Sequence, residues 1–105
     1  MSDNFKCIYK ILKTLEAAMD YPSIELDEIG YERLEISKER WIKYLEMMLD
    51  VGLIKGITIR QYTDGEKAVI NNGVAITLSG LEYLTENSIM QRMYDNAMKV
   101  KNLIK

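Results

Sequence analysis

The stretch from Ile36 to Gly80 constrains the fold most, because its structural signals come in a definite order. Ser37 is a good N-cap for a helix whose apolar residues form one face: Trp41, Ile42, Leu45, Met48 and Leu49. Gly52 can take the left-handed conformation that ends a helix, and Leu53-Ile54 can fold back onto the last turn. These signals predict a helix over residues 38–51.

After Gly56 the apolar spacing changes from helical to alternating. Ile57 and Ile59 point to one side, while Thr58, Arg60 and Tyr62 point to the other. Asp64-Gly65 is a strong hairpin signal, because glycine accepts the positive φ of a tight two-residue turn. Asn71-Asn72-Gly73 interrupts the returning arm as a bulge, a second turn or a loop, and the sequence leaves these three alternatives open.

Four further helices follow from capping residues and apolar spacing, over residues 4–20, 26–30, 78–86 and 88–104. In the first, the apolar stripe consists of Phe5, Ile8, Leu12, Leu15 and Met19. Thr77 or Ser79 caps the fourth of the five helices, and Ser88 caps the last. A helix, a two-stranded wing and a following helix in this order predict a winged helix-turn-helix. The whole chain, residues 1–105, then forms one mostly helical α+β domain with a small antiparallel wing hairpin and an extra C-terminal helix.

Several of these residues also carry a resemblance to a known family. They are Trp41, Leu45, Leu49, Gly52-Leu53-Ile54 and the run from Ile76 to Leu84. The frame resembles small bacterial winged-helix proteins, and in particular the YjcQ-like family of Gram-positive bacteria and their phages. The resemblance covers roughly residues 5–87 and extends to the basic ending, and it implies a winged helix with a DNA-binding or regulatory role. It implies no catalytic residues.

Composition narrows the possible functions. The chain has 105 residues, a single cysteine, no histidine and a net charge of −2. Without histidine, zinc sites and histidine-activated nucleophiles are not expected, and no glycine-rich phosphate loop is present, so we expect neither an enzyme nor a metal or other cofactor. No apolar run is long enough to span a bilayer, and the first residues do not form a leader, so a cytoplasmic location is expected.

In a helix-turn-helix, the second helix of the motif enters the major groove of DNA. The face opposite Trp41 predicts groove contacts by Arg40 and Lys43, with Lys38 and Tyr44 beside them. On the wing, Arg60 and Lys67 would reach phosphates. Tyr44 and Tyr62 are expected to be exposed, whereas Trp41 and Tyr83 are expected to lie in the core.

Charge balance weakens the DNA interpretation. The bases and acids of helix 38–51 cancel, as do those of the wing tip, and segment 22–37 has a net charge of minus four. Phosphate attraction supplies most of the affinity of non-specific binding, so an acidic element near DNA opposes it. Only the last helix is clearly basic, with Arg92, Lys99, Lys101 and Lys105 against Asp95.

Two functional interpretations remain open. The leading one is a DNA-binding regulator of a bacterial or phage locus, with double-stranded DNA as partner. The alternative is a protein-interaction module without DNA binding, which self-associates or binds a partner through Met47 on helix 38–51 and Met90, Tyr94 and Met98 on the C-terminal helix. A stripe this wide usually means burial on more than one side, and methionine fits irregular surfaces. All these methionines could equally lie in the core of a monomer.

Overall fold

The computed structural model describes the backbone of residues 3–87 and the side chains of residues 4–87. The helices are α1 (Asp3–Ala17), α2 (Tyr31–Leu34), α3 (Lys38–Asp50) and α4 (residues 78–87), and the strands are β1 (Ile54–Gln61) and β2 (Lys67–Ile76). Short 3-10 turns cover Ala18–Asp20 and Leu26–Ile29. This α+β arrangement of helices with one antiparallel hairpin has the winged helix-turn-helix layout that the sequence predicts. The predicted helix over residues 88–104 lies outside the described residues.

One face of α1 forms the centre of the core. Its buried residues are Cys7, Ile8, Ile11, Leu12 and Leu15. The predicted stripe was wrong at both ends, because Phe5 is 51% and Met19 60% exposed. With a rotation of about 100° per residue along the helix, Phe5 falls at the edge of the buried face of α1. Met19 lies in the 3-10 turn after α1, where the tighter winding takes it off that face.

The caps of α3 are those that the sequence predicts. The side chain of Ser37 accepts a hydrogen bond from the Arg40 amide at 3.1 Å, which satisfies one of the amides left free at a helix start. At the other end, the amides of Gly52 and Leu53 donate to the carbonyls of Leu49 and Met48 at 3.1 and 2.8 Å. This pair of bonds is a Schellman motif, so the helix ends where glycine allows the chain to reverse.

Trp41 anchors α3 in the core, as predicted. Its ring is 4% exposed, and its indole N–H donates to the carbonyl of Ile29 at 2.8 Å. The Tyr31 ring lies 5.5 Å away at a tilt of 56°, a favourable aromatic geometry. Trp41 therefore ties α3 to the segment that precedes it.

The segment before α3 is less regular than the sequence predicts. Residues 26–29 of the predicted helix form a 3-10 turn, and the one-turn helix α2, which the sequence did not reveal, follows Gly30. Glu35 then turns the chain toward α3 with φ 58°. Such a turn usually contains glycine, so a glutamate there gave no signal in the sequence.

The wing is an antiparallel hairpin in which Ile57 is buried while Thr58 and Arg60 are exposed, as the alternation predicts. Its loop has three residues rather than the predicted two. The Gly65 amide donates to the Tyr62 carbonyl at 3.0 Å, and the Tyr62 amide donates to the Glu66 carbonyl at 2.8 Å. Residues 63–65 thus form a turn closed by a left-handed glycine, a common three-residue hairpin loop.

The interruption at Asn71-Asn72-Gly73 is a bulge, which decides between the three alternatives. Lys55 pairs with Ala75 and Ile57 with Asn71, so one residue of β1 lies opposite three of β2. The Asn71 side-chain oxygen accepts from the amides of Gly73 and Val74 at 3.0 and 2.8 Å. Its amide nitrogen donates to the Ile24 carbonyl at 2.9 Å, so the bulge also holds the chain after α1.

Thr77, rather than Ser79, caps α4. The Thr77 hydroxyl accepts from the Gly80 amide at 3.1 Å and donates to the Gly52 carbonyl. Leu84 is buried against the core, with Tyr83 and Leu81 partly buried beside it. The start of the helix is therefore bonded to the end of α3, and its Leu84 face packs on the core.

Candidate nucleic-acid interface

Helix α3 presents two exposed lysines, Lys38 at its first position and Lys43 on its outward face. Lys38 and Lys43 are both exposed, and within the described residues neither forms a salt bridge or a side-chain hydrogen bond. They lie on the helix that a winged helix-turn-helix directs at the major groove. A ligand could therefore reach their amines without breaking any contact within residues 4–87.

Arg40 is exposed but already engaged. One of its terminal nitrogens donates to the Asn4 side-chain oxygen at 2.9 Å and to the Tyr44 hydroxyl at 3.3 Å. Tyr44, which was expected to be exposed, is buried with 4% of its surface accessible, so that prediction was wrong. Its hydroxyl donates to Asn4 at 2.5 Å, which attaches α1 to α3. A buried ring cannot stack on a base, so Tyr44 has a structural position rather than a contact position.

The two predicted wing cations differ in their surroundings. Arg60 is exposed and has no salt-bridge partner among the described residues, as a phosphate contact requires. Lys67 instead lies against α3, where its amine is 3.3 Å from a carboxylate oxygen of Glu46. This pair links the wing to α3, so Lys67 would have to exchange Glu46 for a phosphate.

A cleft of about 400 Å³ separates α3 from the wing tip, and we call it the α3–wing cleft. Its lining residues are Lys38, Glu39, Ile42, Lys43, Glu46, Asp64, Gly65, Glu66 and Lys67. Carboxylates outnumber lysines by four to three, in agreement with the charge balance expected from the sequence. A polyanion would therefore meet a nearly neutral surface here rather than a strongly basic one.

The segment before α3 is acidic and exposed, and its one cation is taken. Arg33 holds the carboxylate of Glu28 with contacts of 3.0 and 3.5 Å. The remaining acids are exposed: Glu25, Asp27, Glu32 and Glu35. No positive charge in this segment is left to attract a phosphate.

A second cleft, of about 550 Å³, lies between the first turns of α1 and α3, and we call it the α1–α3 cleft. Its lining residues are Asn4, Phe5, Ile8, Ser37, Arg40, Lys43, Tyr44 and Met47. Met47 is 54% exposed, as its predicted outward position requires. The sequence reasoning missed Asn4 and Phe5 as its neighbours, although the edge position of Phe5 on the α1 wheel was a usable signal. Met90, Tyr94 and Met98 lie outside the described residues.

Within residues 3–87, no group of three or more potential ligands among cysteine and carboxylate side chains could hold a metal ion. In the same part of the chain, every helix is too short or too polar to cross a membrane.

Comparison with curated proteins and with solved structures returned no match. A family model described as "YjcQ protein" matches residues 9–103, which is nearly the whole chain. The match includes α3, the wing and α4, the elements on which the resemblance in the sequence rests. The chain belongs to the YjcQ family.

Proposed function

We propose that this protein binds double-stranded DNA through α3 and acts as a bacterial or phage transcriptional regulator. The observation that carries the proposal is a pair of exposed lysines on α3, Lys43 on its outward face and Lys38 at its first position, neither of which has a partner among the described residues. Lysine amines donate to phosphate oxygens and to the O6 and N7 acceptors of guanine in the major groove. Arg60 on the wing would add a phosphate contact, and Arg40 stays a candidate groove contact despite its bonds to Asn4 and Tyr44.

The carboxylates of the α3–wing cleft shape the expected binding. Glu39 and Glu46 repel phosphates wherever the protein sits, so they lower the affinity for random sequence. A carboxylate can, however, accept a hydrogen bond from the N4 amine of cytosine. Binding should therefore be weak on random duplexes and strengthened where α3 meets a matching sequence, which is the behaviour of a selective regulator.

The test begins with selection of a duplex from a random pool at low salt, followed by titrations of the selected and a scrambled duplex. Lys43→Gln should weaken binding to the selected duplex about tenfold and, if it contacts a phosphate, reduce the salt slope by roughly one unit. Lys55→Gln is the matched control, because Lys55 is also exposed but lines a different cleft near Met19 and Pro22.

Two results would contradict the proposal. If Lys55→Gln weakens binding as much as Lys43→Gln, the effect is one of total charge and α3 is not the contact surface. If no duplex binds more tightly than about 100 µM at low salt, the weak limit of ordinary non-specific binding, the protein is not a DNA-binding regulator. Protein interaction then becomes the leading function.

A further inference from the structure

We propose that the α1–α3 cleft docks an acidic amphipathic segment of a partner protein. An apolar side chain of that segment would lie between Phe5 and Met47, and its carboxylates would contact Lys43 and Arg40. The α1–α3 cleft and the α3–wing cleft share Lys43 and no other lining residue.

The apolar part of the α1–α3 cleft is open to solvent. Phe5 and Met47 each expose about half of their surface, and they lie in one cleft rather than singly on the surface. Ile8 lies beneath them with 9% exposure. Covering such side chains yields roughly 25 cal/mol for each Å² of apolar surface removed from water, so an aliphatic or aromatic side chain gains free energy here.

The charged part of the cleft selects the sign of the partner. Arg40 and Lys43 are the charged residues of its lining, and no carboxylate belongs to that lining. The α3–wing cleft, in contrast, has four carboxylates. An acidic segment therefore finds complementary charge in the α1–α3 cleft, whereas a basic segment meets two like charges.

Hydrogen bonds hold the polar wall of the cleft in place before any partner arrives. Asn4 accepts from both the Arg40 guanidinium and the Tyr44 hydroxyl, at 2.9 and 2.5 Å. The Ser37 oxygen is held by the Arg40 amide at the helix cap. A wall that is already ordered loses little entropy when a ligand binds, which favours docking of a short segment.

Nucleic acid fits this cleft less well than a protein segment does. A duplex would bring phosphates to Lys43 and Arg40 but would leave Phe5 and Met47 without an aliphatic or aromatic side chain to cover them. Because Lys43 lines both clefts, a docked partner would compete with DNA. This consequence, unlike the docking itself, rests on the proposed function.

The experiment uses the full chain, without DNA, and a dye-labelled synthetic peptide. The peptide has leucine and phenylalanine at helical spacing and glutamate at the other positions, and a second peptide has lysine in place of each glutamate. Fluorescence anisotropy should show the glutamate peptide binding with a Kd on the order of 10–100 µM and the lysine peptide binding at least about tenfold more weakly.

Substitutions locate the binding surface. Met47→Glu should weaken binding of the glutamate peptide at least about tenfold, since it places a like charge in the cleft and removes the apolar contact. Lys43→Gln should weaken it several-fold and reduce its dependence on salt. Met19→Glu is the matched control, because Met19 is exposed to a similar extent but lies outside this cleft. Urea unfolding of each variant shows whether it keeps its stability.

Several outcomes would overturn the proposal. Failure of the glutamate peptide to bind, equal binding of the lysine peptide, or equal losses in Met47→Glu and Met19→Glu would each do so. If sedimentation shows a self-associated parent protein that Met47→Glu makes monomeric, the occupant is a second copy of this chain. A last outcome separates the two proposals. If the protein binds duplex DNA but no peptide, and if Met47→Glu weakens the binding of DNA no more than Met19→Glu does, DNA binding stands and the docking proposal fails.

Discussion

The bulge in the wing predicts a large difference between two chemically identical substitutions, Gly56→Ala and Gly52→Ala. The two glycines have almost the same backbone conformation, with φ 79° and 76°. An alanine therefore suffers the same left-handed penalty at both positions, about 1–2 kcal/mol. At Gly52 an added Cβ has no atom within 4 Å, so this penalty is the whole expected cost.

At Gly56 the added Cβ would also collide with the opposite strand. It would lie 2.1 Å from the Gly73 carbonyl oxygen, and 2.9 Å from the Val74 nitrogen. These are backbone atoms, so relief requires the bulge to move by more than an ångström. That movement would strain the two hydrogen bonds that the amides of Gly73 and Val74 donate to the Asn71 side-chain oxygen, at about 1 kcal/mol each. Overpacking adds about 1–3 kcal/mol.

The free energy of unfolding should therefore fall by about 3–5 kcal/mol more in Gly56→Ala than in Gly52→Ala. Urea denaturation measures it, with the fluorescence of Trp41, the single tryptophan of the chain, as a probe buried in the core. A loss of this size is a large fraction of the stability of a small domain. If the two variants differ by less than about 1 kcal/mol, β1 and β2 do not approach each other as described, and the account of the bulge is wrong.

Two further predictions concern tyrosines. Tyr44→Phe should lower the free energy of unfolding by about 1 kcal/mol, because it removes the hydroxyl that bonds to both Asn4 and Arg40. Tyr62→Phe, at an exposed site, should change the free energy of unfolding little. Equal effects of the two substitutions in urea denaturation would contradict the bridging role of the Tyr44 hydroxyl. Burial raises the pKa of Tyr83 above its ordinary value of 10.0, so its stabilising contribution is complete below that value and is lost as pH rises through the folded-state pKa. Tyr83→Phe should therefore lose less stability in alkaline solution than the parent, and parallel urea midpoints across the alkaline range would refute this.

The parts of the fold that the sequence predicted well depend on neighbouring residues. Ser37 caps α3 and Gly52 ends it through contacts that span a few residues, so the residue types at those positions suffice. The alternation in β1 and the burial of Trp41 likewise follow from spacing along one element. The sequence did not predict the end of α2, because Glu35 takes a left-handed conformation that usually requires glycine.

The sequence by itself determined the element order, the caps, most of the apolar core and the near cancellation of charge around α3, because each depends on residue type and spacing. Only the tertiary structure decided which side chains meet. Tyr44 bonds Asn4 across 40 positions of the chain, and Lys67 reaches Glu46 across 21. Such partners are set by how α1 and the wing pack against α3, and no local pattern encodes that distance. This is why Tyr44 is buried and Lys67 is paired with Glu46, whereas Lys38 and Lys43 have no partner in the part of the chain that the structure describes.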